Sequence, residues 1–162
     1  MPENGFKILL DLLQQELAIV EELKAAGSNL IRALKENVAS EIISVTKRQE
    51  FLAGELAKLE EKRLQVQQDL INNSKTDAHF GEVAFLAPAD LQDAFASLYN
   101  RLAAAVAQLR QINETGKILL LRAFRFHRQL TKLFATAQGE MYDPRGFLQK
   151  KQKPVGVFDR QV

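Results

Sequence analysis

Apolar residues recur every three or four positions along three long stretches of the chain, a spacing typical of amphipathic α-helices. The stretches cover residues 5–36, 40–73 and 88–139. In the third, the repeat is unbroken, and we call these positions the seam: Leu91, Phe95, Leu98, Leu102, Ala105, Leu109, Ile112, Gly116, Leu119, Ala123, Phe126, Leu130, Leu133 and Ala137. The pattern predicts three helices, the last of them about fifty residues and roughly 75 Å long.

Two segments without this repeat separate the helices. Residues 36–40 form a joint, at which Asn37 or Ser40 is predicted to be the N-cap of the second helix. Residues 72–88 contain turn-forming residues and predict a loop, with Pro88 in the first turn of the third helix. Because two shorter helices must fold back along a longer one, we predict an all-α fold. It is an elongated antiparallel three-helix bundle with coiled-coil packing over residues 1–139.

The last segment, residues 140–162, does not continue the repeat. Pro144 cannot continue a helix, and it biases Asp143 toward extended backbone. The segment still carries apolar residues such as Phe147 and Phe158. We therefore expect a flexible C-terminal tail that folds against a partner. A frayed end, or a tail packed on its own bundle, is the alternative.

Composition argues against catalysis. The chain has no cysteine, which excludes disulfides, thiolate zinc sites and a cysteine nucleophile. Its two histidines, His79 and His127, lie far apart, and no Gly-rich phosphate loop or nucleophile motif occurs. We predict no catalytic residue, no cofactor and no metal.

The apolar segments are too short to cross a bilayer. No apolar run approaches the roughly 20 residues of a membrane span. The N-terminal stretch has acidic residues inside its apolar region and lacks a cleavable signal pattern. These features predict a cytoplasmic protein without membrane insertion.

Charge is distributed unevenly along the chain. Residues 1–114 contain 12 basic and 17 acidic residues, whereas residues 115–139 contain 5 basic residues and no acidic one. The net charge of the whole chain is only +2, and no motif for reading nucleic acid occurs. We therefore do not expect nucleic-acid binding, and we look for a partner at the basic end.

An apolar patch is predicted on the outward side of the third helix. With the seam at heptad positions a and d, the outward positions before Asn113 hold no large apolar residue. Further along, Ile118, Leu121 and Phe124 are three residues apart, and we call them the outward patch. Arg125 and Arg128 lie beside it. An exposed apolar patch implies a partner; coverage by the first or second helix, or a homodimer, would also explain it.

Short motifs in the second helix, the third helix and the tail resemble the FlgN-type flagellar export chaperones. They consist of Thr46, Arg48, Gln49 and Glu50 at the start of the second helix, Asn113 midway along the third, and Tyr142, Asp143 and Gly146 at the start of the tail. The Tyr-Asp-x-x-Gly element is the distinctive one.

The resemblance implies a cytoplasmic chaperone that holds hook–filament junction (hook-associated) proteins before their secretion through the flagellar type III export gate. The gate itself is a second partner that it suggests. The clients of such chaperones bind the C-terminal part of the chain. The candidate partner-binding residues are then Asn113, Gly116, Ile118, Leu121, Phe124, Arg125, Arg128, Tyr142, Asp143, Gly146 and Phe147. The alternative is a self-associating structural or adaptor bundle without a secretion client.

Overall fold

The structure is a computed structural model that describes residues 2–74 and 80–137. It contains the three helices α1 (Pro2–Glu36), α2 (Ala39–Ser74) and α3 (Ala89–Ala137), with a 3₁₀ helix, Phe80–Leu86, before α3. The described ranges contain no β-strand. The predicted helical bundle is confirmed, whereas the predicted tail, residues 140–162, lies outside the described residues.

The internal contacts of the chain divide it into two units, Met1–Leu120 and Leu121–Val162. The first unit contains α1, α2, the 3₁₀ helix and α3 as far as Leu120. The described part of the second unit is the remainder of α3, residues 121–137. All of the packing described in this subsection belongs to the first unit.

Ion pairs define the relative direction of α1 and α2. Glu16 of α1 pairs with Arg63 of α2 at 2.8 Å, whereas Arg32, near the end of α1, pairs with Glu41, near the start of α2, at 3.4 Å. Partner numbers on α2 fall as those on α1 rise. The two helices are therefore antiparallel.

Side-chain contacts place α3 parallel to α1. The rings of Phe6 and Phe95 meet edge to face with their centroids 6.4 Å apart. Further along, a Cβ placed on Gly27 would lie 2.6 Å from Cγ2 of Ile112.

The core forms where the apolar stripes of the three helices and the 3₁₀ helix meet. A helix whose apolar residues recur with a 3.6-residue period gains stability mainly by burying that stripe. The buried members of the central cluster are Phe6, Leu9, Leu13, Leu17, Val20, Leu70, Val83, Ala87, Phe95, Leu98 and Ala105. Three of these residues belong to the seam of α3.

The joint between α1 and α2 differs from the prediction. Asn37 has a φ of 56°, and the amide of Val38 donates to the carbonyl of Ala33 at 3.0 Å. This is the arrangement of a helix C-terminus closed by a left-handed residue, which asparagine tolerates well. Asn37 therefore ends α1, and Ser40 lies inside α2, so neither is the predicted N-cap.

The segment predicted as a loop is partly helical. Residues 75–79 lie outside the described residues, but Phe80–Leu86 form the 3₁₀ helix. Val83 and Ala87 are buried in the core cluster. The burial of these two apolar side chains stabilises a helical turn in a segment whose sequence has no helical period. Pro88 immediately precedes the first residue of α3, and its carbonyl accepts the amide of Leu91 at 2.9 Å.

Candidate partner-binding surface

The described residues of the second unit present large apolar side chains to solvent. Leu121 is 50% exposed and Phe124 is 70% exposed, as the outward patch predicts. Phe126 and Phe134, which lie on and beside the seam, are 63% and 67% exposed. Apolar surface is therefore exposed both at outward positions and on the seam side. Surface of this kind is characteristic of an interaction site.

Exposure of the seam beyond Leu119 corrects the expectation that the whole seam packs inside the bundle. Gly116 is buried and Leu119 is half-buried, but Ala123 and Phe126 are exposed. Among residues 121–135 no seam side chain is buried. A heptad repeat identifies the face that packs but not the length over which a neighbour is present.

Positive charge surrounds this apolar surface. Arg122, Arg125 and Arg128 are exposed, and no acidic residue occurs between positions 115 and 137. Within the described part of the chain, none of these three arginines forms an ion pair. Their charges therefore remain available to an acidic partner. At physiological ionic strength, attraction between exposed charges acts over roughly 8 Å.

The remaining predicted residues are divided between the first unit and the undescribed segment. Asn113 is exposed, Ile118 is 49% exposed, and Gly116 is buried. A Cβ on Gly116 would meet no atom within 4 Å. Tyr142, Asp143, Gly146 and Phe147 lie outside the described residues. The structure thus brings Leu121, Phe124, Arg125 and Arg128 together on one helix.

A layer of hydrogen-bonded polar side chains is buried in the first unit, and the sequence did not predict it. The guanidinium of Arg63 donates to Glu16 at 2.8 Å and to the side-chain oxygen of Gln67 at 2.9 Å. The Gln67 amide donates in turn to the Tyr99 hydroxyl at 3.4 Å. Glu16 and Gln67 are 5% and 2% exposed. Arg63 lies between Leu59 and Val66 in the three-and-four spacing of apolar residues along α2, and this polar interruption is a sequence signal for the layer.

Burial governs the titration of this layer. It raises the pKa of Glu16 above the ordinary value of 4.5, against the hydrogen bond and charge of Arg63, which lower it. Burial also raises the pKa of Tyr99. In the described residues every buried side-chain N or O atom has a hydrogen-bond partner. The polar groups of this layer form hydrogen bonds with one another, which is typical of a structural part of the core.

Two cavities flank this part of the bundle. One of about 200 Å³ is lined by Glu16, Arg63, Leu56 and Val106 among others. The other, of about 440 Å³, lies between the 3₁₀ helix and α3 and includes Phe85, Asp93 and Tyr99 in its lining. Neither lining contains a histidine, or a serine or threonine beside a base. Their side chains offer no arrangement for nucleophilic catalysis.

In residues 2–74 and 80–137, no three histidine, aspartate or glutamate side chains are grouped so as to hold a metal ion. None of the helices in these ranges combines the length and the hydropathy that a bilayer crossing requires.

Comparison with known proteins gives a family but no individual relative. No curated protein and no solved structure matches the chain. The family model described as FlgN protein matches residues 1–150. That range includes both units' described helices and the Tyr-Asp-x-x-Gly element of residues 142–146. The chain therefore belongs to the FlgN family of flagellar export chaperones.

Proposed function

We propose that this protein is a non-enzymatic cytoplasmic chaperone that holds hook–filament junction proteins and delivers them to the flagellar type III export gate. The observation that carries the proposal is the exposed pair Leu121 and Phe124 beside Arg125 and Arg128, in a chain of the FlgN family. A chaperone must shield an apolar segment of its client before export. An exposed apolar helix flanked by positive charge suits a segment that is both apolar and acidic.

The predicted residues on both sides of this pair extend the proposed surface. Asn113, Gly116 and Ile118 precede it on α3, and Tyr142, Asp143, Gly146 and Phe147 follow it in the chain. If the tail folds against the client, as the sequence predicts, its ordering costs roughly 1 to 2 kcal/mol per residue and reduces its net contribution to affinity.

Calorimetry with a purified hook–filament junction protein tests the proposal. Leu121→Asp and Phe124→Asp should each weaken binding by more than about 1 kcal/mol, the scale of interface anchors. The circular dichroism spectrum should remain that of the wild type, because both side chains are exposed. Ile43→Asp is the matched control: Ile43 is 57% exposed on α2, and its replacement should leave the affinity unchanged.

Three results would contradict the proposal in different ways. If the junction protein does not bind the wild-type chain, the function is wrong. If both aspartate variants lose helical signal together with binding, the patch is part of a packed core. If mass measurement shows a stable oligomer of the chain alone that excludes the junction protein, the self-associating bundle is the correct function.

A further inference from the structure

We infer that the cavity of about 440 Å³ between the 3₁₀ helix and α3 is a docking site for a basic segment of a second partner protein, which places an arginine side chain between Phe85 and Asp93. The lining also contains Tyr99 and the amides of Gln92 and Asn100, and we call the cavity the acidic pocket. Its volume lies in the range of roughly 300–1,000 Å³ that is typical of ligand sites. The inference goes beyond the proposed function, because the pocket lies in the first unit and its partner is not the client.

The fold holds Phe85 in an exposed position on a fixed turn. Its side chain is 79% exposed, whereas its neighbours Val83 and Ala87 are buried in the core. The side-chain amide of Gln92 donates to the carbonyl of Ala87 at 3.0 Å and ties the end of the turn to α3. Val83 and Ala87 thus anchor the turn without help from the exposed ring. A large aromatic side chain exposed on a fixed backbone is characteristic of an interaction site.

Asp93 has no evident part in stabilising its helix. Acidic residues stabilise a helix mainly within its first turn, and in α3 that position is occupied by Asp90. Asp93 lies about one turn further along and is exposed. Within residues 2–74 and 80–137 it forms no ion pair. Its carboxylate is therefore available to a cation from outside the chain.

The local charge favours a cationic ligand. Residues 80–100 contain three acidic residues and no lysine or arginine. An anionic ligand would be repelled, and a purely apolar one would cover the carboxylate of Asp93 without giving it a partner. A guanidinium group satisfies both sides of the pocket, because its flat face stacks on an aromatic ring while its N–H groups donate to a carboxylate.

The chain itself contains such an arrangement elsewhere. The guanidinium carbon of Arg48 lies 5.5 Å from the centroid of the Phe51 ring, and the same guanidinium pairs with Glu22. There the ring, the carboxylate and the arginine all belong to this chain. The acidic pocket offers a ring and a carboxylate without the arginine, which a partner would supply.

The arginine is expected to come from another protein and not from a second copy of this chain. Residues 115–139 carry five basic residues and no acidic one, and they are the segment of a second copy best suited by charge. This choice rests on the proposed function, in which the client covers that end of α3. A segment of a different protein can occupy the acidic pocket while a client is bound.

Nuclear magnetic resonance of the full chain with two matched peptides tests the inference. One peptide is acetyl-Ala-Leu-Arg-Leu-Ala-amide, and the other has citrulline, which has the shape of arginine but no charge, in place of the arginine. Each is titrated to saturation or to its solubility limit. The arginine peptide should shift the amide resonances of Phe85, Asp93 and Tyr99. The citrulline peptide should bind about fivefold more weakly or less, the scale of a cation–π contact and an exposed ion pair together.

Two variants of the pocket have matched controls on α2. Phe85→Ala and Asp93→Asn should each weaken binding of the arginine peptide by about threefold or more. Both side chains are exposed, so the circular dichroism spectrum should remain that of the wild type. The controls are Phe51→Ala, at an exposed ring that already has its own arginine, and Asp69→Asn, at another exposed carboxylate. They should leave the affinity for the peptide unchanged.

Several results would overturn the inference. These are an arginine peptide that shifts no pocket resonance, equal binding of the two peptides, and unchanged binding in both pocket variants. If the pocket resonances of the chain alone shift on dilution, a second copy occupies the pocket and the inferred partner is wrong.

Calorimetry with the junction protein separates this inference from the proposed function. Phe85→Ala and Asp93→Asn should bind the junction protein as the wild type does. Loss of that binding in both variants would make the pocket part of the client's surface and refute a second partner. If the wild type does not bind the junction protein, the proposed function is wrong, whereas the peptide titration still decides whether the pocket receives an arginine.

Discussion

Replacing Gly27 by alanine tests how closely α1 and α3 approach. An ideal Cβ at this position would lie 2.6 Å from Cγ2 of Ile112. Carbon atoms in favourable contact are about 3.5–4.0 Å apart. The branched side chain of Ile112 must therefore move, or the helices must separate.

Two opposing effects determine the expected change. Alanine in place of glycine inside a helix contributes about 1 kcal/mol to the free energy of unfolding. Overpacking of a close contact costs about 1–3 kcal/mol. Gly27→Ala should therefore range from neutral to about 2 kcal/mol destabilising. Gly54→Ala on α2 meets nothing within 4 Å and should stabilise by about 1 kcal/mol.

Urea denaturation of the two variants gives the overpacking energy as a difference, because the helix-propensity gain is common to both. Gly116→Ala, which also meets nothing within 4 Å, provides a second control on α3. A double-mutant cycle with Ile112→Ala should show a coupling of about 0.5–3 kcal/mol between positions 27 and 112. Equal stabilisation by Gly27→Ala and Gly54→Ala would refute the close approach.

Two further predictions concern the polar layer and the tail. Arg63→Met leaves the carboxylate of Glu16 buried without its cation and should lower the free energy of unfolding by about 3 kcal/mol near neutral pH. Arg48→Met is the control: it breaks the exposed pair with Glu22 and should lower the free energy of unfolding by less than about 1 kcal/mol. The raised pKa of Glu16 means that the folded state binds this proton more tightly than the unfolded state. The destabilisation by Arg63→Met should therefore become smaller as the pH falls toward 4.5. A destabilisation that does not change with pH in urea titrations would contradict this. Removal of residues 140–162 should leave the unfolding midpoint nearly unchanged, because the buried residues of the core cluster all lie at or before Ala105. The removal should weaken client binding in calorimetry. A large fall in the midpoint would show that this segment stabilises the bundle.

The apolar period alone was sufficient to predict the helices and the packing face of α3. Periodicity reports a local property, namely which side of a helix is apolar, and this is written in consecutive residues. The spacing of Phe95, Leu98 and Ala105 predicted their burial, and these residues are in the core. The basic character of α3 beyond Thr115 and the lack of cysteine are likewise read directly from composition.

The polar layer required the tertiary structure. Glu16 resembles any other acidic residue on an amphipathic helix, and Gln67 any other amide. Arg63 and Gln67 are one turn apart on α2, but only the antiparallel packing of α1 and α2 brings Arg63 to Glu16, and only the packing of α3 brings Tyr99 to Gln67. Their burial depends on contacts between residues 47 positions apart, which no local pattern contains.

The extent of coverage along α3 was also decided by the tertiary structure. Phe95 and Phe126 occupy the same repeat, yet one is buried and the other is 63% exposed. Phe95 packs edge to face on Phe6 of α1 within the first unit, whereas Phe126 belongs to the second unit. A repeat shows which face of a helix is apolar, whereas the burial of that face depends on contacts with residues that are distant in the sequence.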